Sequence, residues 1–450
     1  MQLRRSPILA LLVLSFACKP QISTPGAATV TVDENISTVL HVTWQTEEPS
    51  VGRVDFGASD TYGMSTPVET EATTDHSLTL YGNPAASTVH LRPVTVTDEG
   101  EELLGADQTA ETDALPNDIA EVTVTSPLTN AVMSPFMLTS FLPATDYSSS
   151  VVVLDPNGAV VWYYESPVGI IESARVTSDG LGFSGVAREG EDLSVSEIVH
   201  VTWAGVETRI PVPGAHHDLI ELPEGGWVTF AREEREIQDL GTVAGDAIVE
   251  VNPDGTVSEV WNAFDELDVV ENDGWQRSLI PGAADWTHGN GIAYDEVEGA
   301  YYLSFYFTQN IVKVDRSTGA TVWILGGMEE QFTFEGDEGF GPQHAPELFD
   351  GGLRLFDNTT SSSTGSRLVE YAIDEASMTA TMTWSWAPED TNHTLVLGDV
   401  TRFEDGSAMA SWGISGSLYA IDANGAAAGL WEGPTAEAAG QLTLLPTFYP

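Results

Sequence analysis

Short runs of alternating apolar and polar residues make up most of this sequence, and most of them end at Gly, Pro, Asn or Asp. Successive side chains of an extended strand point to opposite faces, so this alternation predicts strands with one buried face. Runs in which apolar residues recur every three to four positions, as an amphipathic helix requires, are scarce. The sequence therefore predicts an all-β protein.

The first part of the chain, residues 27–115, contains closely spaced runs of this kind. They are residues 29–33, 39–46, 51–56, 76–81 and 88–96. Many short strands separated by turn residues within about 90 positions are typical of a small β-sandwich. We expect one such domain here.

A longer phrase recurs from about Val122 onward: a strand, a turn of Asp, Asn or Gly, and a second strand that usually ends in Trp. Its six copies begin at Val151, Glu197, Ala247, Asn310, Arg367 and Ser417. A repeat of roughly 50 residues fits the four-stranded blade of a β-propeller, in which each blade buries its faces against its neighbours. We predict a six-bladed propeller over residues 119–450.

A second phrase lies between these copies and predicts the innermost strand of each following blade. It begins at Ala174, His216, His288, His344 and Gly398. The sixth blade has the weakest pattern, and we expect residues 124–142 and 441–450 to complete it together.

The N-terminus predicts an export signal over residues 1–18. Arg4 and Arg5 precede an apolar stretch, residues 8–17, and Cys18 follows it. A cysteine at this place resembles the bacterial lipoprotein cleavage site, where the thiol receives a lipid anchor. We expect an exported lipoprotein that touches the membrane only through this anchor, or otherwise a secreted protein. Cys18 is the only cysteine, which excludes an intramolecular disulfide and a cysteine-based zinc site.

The net charge of −52 argues against nucleic acid as a partner. A field of this sign repels phosphate backbones. The sequence also contains no Asp-x-Asp-x-Asp-Gly calcium loop.

His217, His288 and His344 begin the inner phrase in three successive copies. If they hold equivalent positions on adjacent blades, their imidazoles converge near the axis of the propeller. Converging imidazoles suit two kinds of chemistry. They can bind zinc or copper, with Asp218 or Asp285 behind them, or one can act as a nucleophile while the others move protons. The residues alone do not choose between the two.

Four stretches of the chain resemble bacterial arylsulfate sulfotransferases, a family of six-bladed propellers. These stretches are DWTHGNGIAYD, NIVKVDRSTGATVWILGG, FGPQHAPELFDGGLRLFDN and SRLVEYAID. The phrases VTWQTEEPSVGRVDFG and TTDHSLTLYG in the first domain resemble fibronectin type III-like modules.

The resemblance implies transfer of a sulfuryl group from an aryl sulfate to a phenol, without a cofactor. His344 would be the nucleophile and pass through a sulfohistidine, and His288 would bind the sulfuryl oxygens and protonate the leaving phenolate. His217, or alternatively His216, would bind sulfate or transfer protons. Asn290 would add a hydrogen bond to the sulfate.

One position departs from the family, whose members carry a sulfate-binding arginine where this chain has Tyr306. A neutral hydroxyl does not replace a guanidinium. Arg232 and Arg188 are candidates to supply the missing charge, and Trp286 and Tyr306 are candidates to contact the aryl group. A metal-binding propeller and a catalytically silent binding propeller stay as alternatives.

Overall fold

The computed structural model describes residues 24–97, 100–119, 122–126, 136–143, 149–167, 169–190, 192–359, 365–389, 393–434 and 437–450. The predicted export signal and Cys18 lie outside the described residues. Nearly all regular structure is β-strand, as the alternating pattern predicted. No helix within the described part is long and apolar enough to cross a membrane.

The chain forms two compact units. The first takes the described residues up to Thr31 together with His41–Leu80 and Thr88–Ala110. The second takes Val32–Leu40, Tyr81–Ser87 and Glu111–Pro450.

The first unit contains a seven-stranded sheet built around one long strand, Leu40–Gly57. The other six strands are Thr29–Val32, Met64–Ser65, Thr73–Leu80, Thr88–Val96, Glu102–Leu104 and Gln108–Glu111. Four strands pair with the long one. Because a strand has only two edges, different parts of it pair with different partners, as in a strand shared by the two sheets of a small β-sandwich.

The second unit is a six-bladed propeller, which confirms the prediction from the repeat. Each blade is an antiparallel sheet. Blade 1 contains the strands Phe136–Pro143, Ser150–Leu154 and Val160–Glu165. Blade 2 contains Ile170–Val176, Gly182–Glu189, Asp192–Thr202 and Glu207–Pro211. Blade 3 contains Ala215–Glu221, Trp227–Ile237, Gly241–Val251 and Val257–Asn262. Blade 4 contains Gly289–Asp295, Ala300–Phe305, Asn310–Asp315 and Thr321–Leu325. Blade 5 contains Gln343–Phe349, Gly352–Asp357, Arg367–Asp374 and Thr379–Trp386. Blade 6 contains Asp399–Arg402, Ala408–Ser411, Ser417–Ile421 and Ala427–Glu432.

Both ends of the propeller sequence close the ring. The C-terminal strands Glu437–Ala439 and Thr443–Leu445 pair with Phe136–Pro143 of blade 1. The strand Thr123–Ser126 pairs with Ala427–Glu432, the last strand of blade 6. The blade predicted as the sixth is blade 1 of the structure, and Phe136–Pro143 and the C-terminal strands complete it together, as predicted. Thr123–Ser126 joins blade 6 instead, so this part of the prediction is wrong.

The core of the propeller lies between the blades. Phe230 and Trp261 of blade 3, for example, share one buried cluster with Ile292 and Phe305 of blade 4. In blades 2 to 6 the first strand is the innermost one, whereas in blade 1 the C-terminal strands pair with the inner edge of Phe136–Pro143. The histidines lie at or just before the beginning of the first strands of blades 3, 4 and 5.

Segments between blades carry the few remaining elements. The segment 263–288, between blades 3 and 4, contains two four-residue helices, Ala263–Glu266 and Gly274–Arg277, and the short strand Ala284–Asp285. The strand Thr333–Glu335 lies beside the outermost strand of blade 5, and a 3-10 turn, Gly413–Ser415, lies within blade 6.

Candidate active site

The innermost strands of blades 3, 4 and 5 are each interrupted by a β-bulge where the histidines occur. The register shifts lie between His216 and Leu219, between Gly289 and Gly291, and between His344 and Glu347. The backbone is left-handed at His217 (φ 58°), His288 (φ 54°) and Ala345 (φ 49°). Non-glycine residues adopt this conformation at a cost, and bulges and strained residues are over-represented at functional sites.

The three predicted histidines do not share one position in their blades. His344 lies on a regular rung opposite Phe356, whereas His217 lies inside a bulge and His288 precedes its strand. The prediction of equivalent positions is therefore wrong. The repeat phrase aligned the start of each strand, but bulges of different size shift the residues that follow.

The imidazoles nevertheless converge, as predicted. The ring centroids of His217 and His288 are 4.7 Å apart. Tyr306 lies between the other pair, with its ring 5.8 Å from His288 and 5.6 Å from His344. We call His217, His288, His344 and Tyr306 the histidine cluster.

The hydrogen bonds of His344 fix its tautomer. Its Nδ1 lies 2.6 Å from Oδ1 of Asn358. The Asn358 amide nitrogen donates to the carbonyl oxygens of Thr394 and Leu397, so its Oδ1 must be the acceptor for an N–H on His344. The lone pair of His344 therefore lies on Nε2, which accepts a 3.1 Å hydrogen bond from the Leu397 backbone N–H.

Burial controls the charge of His344, whose side chain lies deep in the propeller. Burial lowers the pKa of His344 to about 4, although the hydrogen bond to Asn358 opposes this change. His344 is therefore neutral at pH 7 and keeps the lone pair on Nε2.

His288 lies in the opposite electrostatic environment. Its Nδ1 lies 2.6 Å from Oδ2 of Asp285, three residues earlier. Burial acts to lower the pKa of His288, but the charge and hydrogen bond of Asp285 outweigh it and raise the pKa above its ordinary value. His288 is thus the cluster's proton-carrying imidazole.

His217 is held by a chain of polar contacts. Its Nδ1 lies 2.7 Å from Nδ1 of His216, whose Nε2 lies 2.9 Å from a carboxylate oxygen of Asp246. The carboxylate fixes the proton of His216 on Nε2, so Nδ1 of His216 accepts a hydrogen bond from His217. Burial, followed by the neighbouring imidazoles, holds the pKa of His217 well below its ordinary value. Of the two candidates, His217 belongs to the cluster and His216 positions it.

Asp218, which follows His217, is turned toward a different partner. Both of its carboxylate oxygens accept hydrogen bonds from Arg175, at 3.0 and 2.9 Å. No three His, Cys, Asp or Glu side chains are arranged to hold a metal ion in the part of the chain that the structure describes. The metal-binding alternative thus gains no support from the geometry.

The predicted substrate-binding residues have different surroundings. Asn290 donates to the carbonyl oxygen of Gln343 at 2.7 Å, and its Oδ1 has no hydrogen-bond partner among the described residues. Trp286 has no exposed surface and packs against Phe264 in the core, so it offers no face to a ligand in this conformation. Arg232 borders the space beside His217 and His288.

Arg188 and Tyr306 complete the predicted set. Arg188 pairs with Glu172, whose Oε2 lies 3.8 Å from Nε2 of His217. The Tyr306 hydroxyl donates to the carbonyl oxygen of Leu395 at 2.7 Å and accepts a hydrogen bond from Arg277 at 3.1 Å.

Three contributors to the site were not singled out from the sequence. Asn358 is the last residue of FGPQHAPELFDGGLRLFDN, one of the stretches that resemble the family, and this motif was the signal that could have identified it. Arg277 lies in the segment 263–288, which has no counterpart in the repeat, and Leu397 contributes only its backbone. No sequence pattern singles out Arg277 or Leu397.

Residues 121–428 match the model of the family described as arylsulfotransferase (ASST), which is more than half of the chain. No curated protein matches the sequence.

Similar solved structures include a protein of unknown function from Bacteroides caccae, with 12% identity over 70% of this chain and 100% of that chain, at a TM-score of 0.46. Another is the Cps50 (Swd1) β-propeller domain from Myceliophthora thermophila, with 12% identity over 72% and 93% of the two chains and a TM-score of 0.42. A third is the periplasmic gluconolactonase of Pseudomonas aeruginosa, with 10% identity over 69% and 99% and a TM-score of 0.40.

Proposed function

The chain belongs to the arylsulfotransferase family, and from this premise we propose that it transfers a sulfuryl group from an aryl sulfate to a phenol, with His344 as the nucleophile. The observation that carries the proposal is the contrast between two imidazoles of the cluster. Burial keeps His344 neutral, whereas Asp285 favours the charged form of His288. Groups whose pKa values are pushed apart in this way identify the nucleophile and the acid of a reaction.

In the first step, Nε2 of His344 attacks the sulfur of the aryl sulfate. The N–S bond forms while the bond between sulfur and the aryl oxygen breaks, and the leaving phenolate takes the proton of His288. His344 then carries the sulfuryl group, and its Nδ1–H stays bound to Asn358, which stabilises the positive charge that develops on the ring.

In the second step, the acceptor phenol transfers its proton to His288, which is now neutral. The phenol oxygen attacks the sulfur, the N–S bond breaks, and His344 returns to its neutral form. The sulfuryl group passes to His344 and then to the acceptor, and His288 loses one proton and regains one, so the cycle needs no further reactant.

The environment of His344 suits a transition state that spreads negative charge over the sulfuryl oxygens. The Leu397 N–H, which binds Nε2 in the resting site, is released when that nitrogen attacks and can donate to one of these oxygens. His288 donates its remaining N–H to the leaving aryl oxygen and stabilises the negative charge that develops there. Fixed donors in a buried site stabilise such charge without reorganising.

The test is turnover of 4-nitrophenyl sulfate by the full chain with and without added phenol. We expect 4-nitrophenol release to depend on phenol, His344→Ala to abolish it, and mass spectrometry of wild-type protein treated with donor alone to find one sulfuryl group on His344. His200, which bonds to Ser184 in blade 2, provides a control, since His200→Ala leaves the site intact. Turnover that survives His344→Ala would contradict the proposal.

A further inference from the structure

Arg277 differs from most of the other described arginines in its electrostatic partners. Ten other described arginines lie within 4.0 Å of a carboxylate oxygen. Arg277, in contrast, makes no ion pair with any carboxylate in the described ranges. In a chain with 68 acidic and 16 basic residues, an arginine that no carboxylate neutralises keeps its charge for another partner.

The position of Arg277 brings that charge to the histidine cluster. Its Nη2 donates to the Tyr306 hydroxyl at 3.1 Å. Its guanidinium carbon lies 5.4 Å from the centre of the Tyr306 ring and 5.6 Å from that of Phe307. Both rings contact His288, and Tyr306 also contacts His344. A single aromatic side chain therefore separates the guanidinium from the imidazoles.

Most of the donors of Arg277 are available to a ligand. A guanidinium has five N–H donors, and one side-chain hydrogen bond of Arg277 is recorded among the residues that the structure describes. The residue is exposed to solvent, whereas the Tyr306 side chain that holds it is buried. This combination fixes one side of the guanidinium and leaves the other side open.

The space around the cluster determines which part of a substrate fits inside. The two cavities beside His217 have volumes of about 20 Å³ each, and such a space holds about one water molecule. An aromatic ring is too large for it, so the ring of a substrate stays at the entrance. Leu279 is 77% exposed two residues beyond Arg277, and Leu395, whose carbonyl binds Tyr306, is 45% exposed.

We propose that Arg277 binds the anionic sulfate of the donor at the entrance of the histidine cluster, while the aryl group lies against Leu279 and Leu395. This inference rests on the proposed function for the identity of the ligand. A planar guanidinium matches two oxygens of a sulfate. The rest of this acidic surface repels anions, so affinity for a sulfate ester requires a local cation that is not already paired.

The experiment measures the dissociation constant of inorganic sulfate for the full chain by calorimetry at constant ionic strength. We expect Arg277→Met to raise it at least about tenfold, which corresponds to about 1.4 kcal/mol, and Arg277→Lys to raise it less. Arg235→Met is the matched control. Arg235 also lies over an aromatic ring, Phe264, but pairs with Glu233 and Asp265, so we expect its variant to stay within about twofold of wild type.

The outcomes separate this inference from the proposed function. Sulfate binding that Arg277→Met leaves unchanged, or no sulfate binding by the wild type, overturns the role of Arg277. If sulfate binding depends on Arg277 but the wild type has no turnover, the proposed function fails and the anion site stands. Near-UV circular dichroism of each variant identifies a change that comes from misfolding.

Discussion

At the scale of single residues, the imidazoles of the cluster differ because their partners differ. His344 has a neutral amide on Nδ1, and His288 has a carboxylate at 2.6 Å. At His288 the charge and hydrogen bond of the carboxylate outweigh burial, whereas at His344 the hydrogen bond of the amide opposes burial without outweighing it. The proposed division of labour therefore depends on Asp285, a residue that touches neither sulfur nor phenol.

Replacing Asp285 tests this dependence through pH. The reaction needs neutral His344 and protonated His288, so activity rises as pH passes about 4, the pKa of His344. It falls when pH exceeds the pKa of His288, which Asp285 raises. In Asp285→Asn only the weaker influence of Asp246 and Glu172 opposes burial, and we expect the alkaline limb of kcat/KM to move at least one pH unit toward acid, with about a tenfold loss above the limb.

The choice of donor sharpens the same prediction. Phenyl sulfate releases a more basic phenolate than 4-nitrophenyl sulfate, so it needs the acid more. We expect Asp285→Asn to impair phenyl sulfate far more than 4-nitrophenyl sulfate. Asp295→Asn, which alters a turn on the same blade, should move neither limb. Equal losses on both donors would show that Asp285 acts on something other than proton transfer.

Tyr306 permits a second prediction at this scale. Tyr306→Arg alone places a second guanidinium beside Arg277 and removes the hydrogen bond to Leu395, so we expect no gain in sulfate affinity. Combined with Arg277→Met it leaves one guanidinium at the cluster, and we expect binding to recover toward the wild-type value. A gain of about tenfold from Tyr306→Arg alone would mean that the two positions bind independently.

At the scale of elements, the bulged inner strands depend on close packing at Gly289. A Cβ on Gly289 would lie 2.4 Å from the Phe230 ring, which is fully buried and stacks on His216. An added methyl group would therefore displace Phe230, and this displacement would move His216 and, through it, His217.

Gly289→Ala should accordingly destabilise the fold by about 1–3 kcal/mol and reduce kcat, as measured by urea unfolding and turnover. Adding Phe230→Leu makes room for the methyl group, so the double variant should be more stable than the sum of the two single changes predicts. Simple additivity would show that Gly289 and Phe230 do not constrain each other.

The strands could be predicted from the sequence more reliably than the registers in which they pair. The phrase from Val151 predicted a hairpin that occurs as Ser150–Leu154 and Val160–Glu165, because period-two alternation and a turn signal are both local. Two predicted strands, 39–46 and 51–56, are one strand, Leu40–Gly57, which passes through the exposed Pro49. Proline signals a turn but is also tolerated where its missing N–H has no partner strand.

Only the site residues that lie in the repeated phrase could be predicted from the sequence. The histidines stood at the start of inner strands, so their convergence could be read from the sequence. The sizes of the bulges could not be read from the sequence, because they depend on how each strand packs against the next blade. Arg277 lies in a segment unique to one blade gap, and only the folded chain brings it to Tyr306.

At the scale of the whole molecule, the ring is closed by pairing between segments more than 290 residues apart, and Phe448 anchors one of the closures. Its ring lies 5.0 Å from Phe136 of blade 1 and 5.2 Å from Trp203, which follows a strand of blade 2. Phe448 is 3% exposed, whereas the nearby Pro446 is exposed. The last residues of the chain thus fill a space between the first two blades.

Phe448→Ala should therefore lower the free energy of unfolding by about 3–5 kcal/mol, the usual cost of emptying a buried aromatic site. Pro446→Ala should change it by less than about 0.5 kcal/mol. Because Phe136–Pro143 pairs with the C-terminal strands, loosening them also uncovers a strand edge, and exposed edges promote association. We expect light scattering of Phe448→Ala to rise below the temperature at which the wild type unfolds. A stable, monodisperse Phe448→Ala protein would show that hydrogen bonding of the terminal strands closes the ring without this side chain.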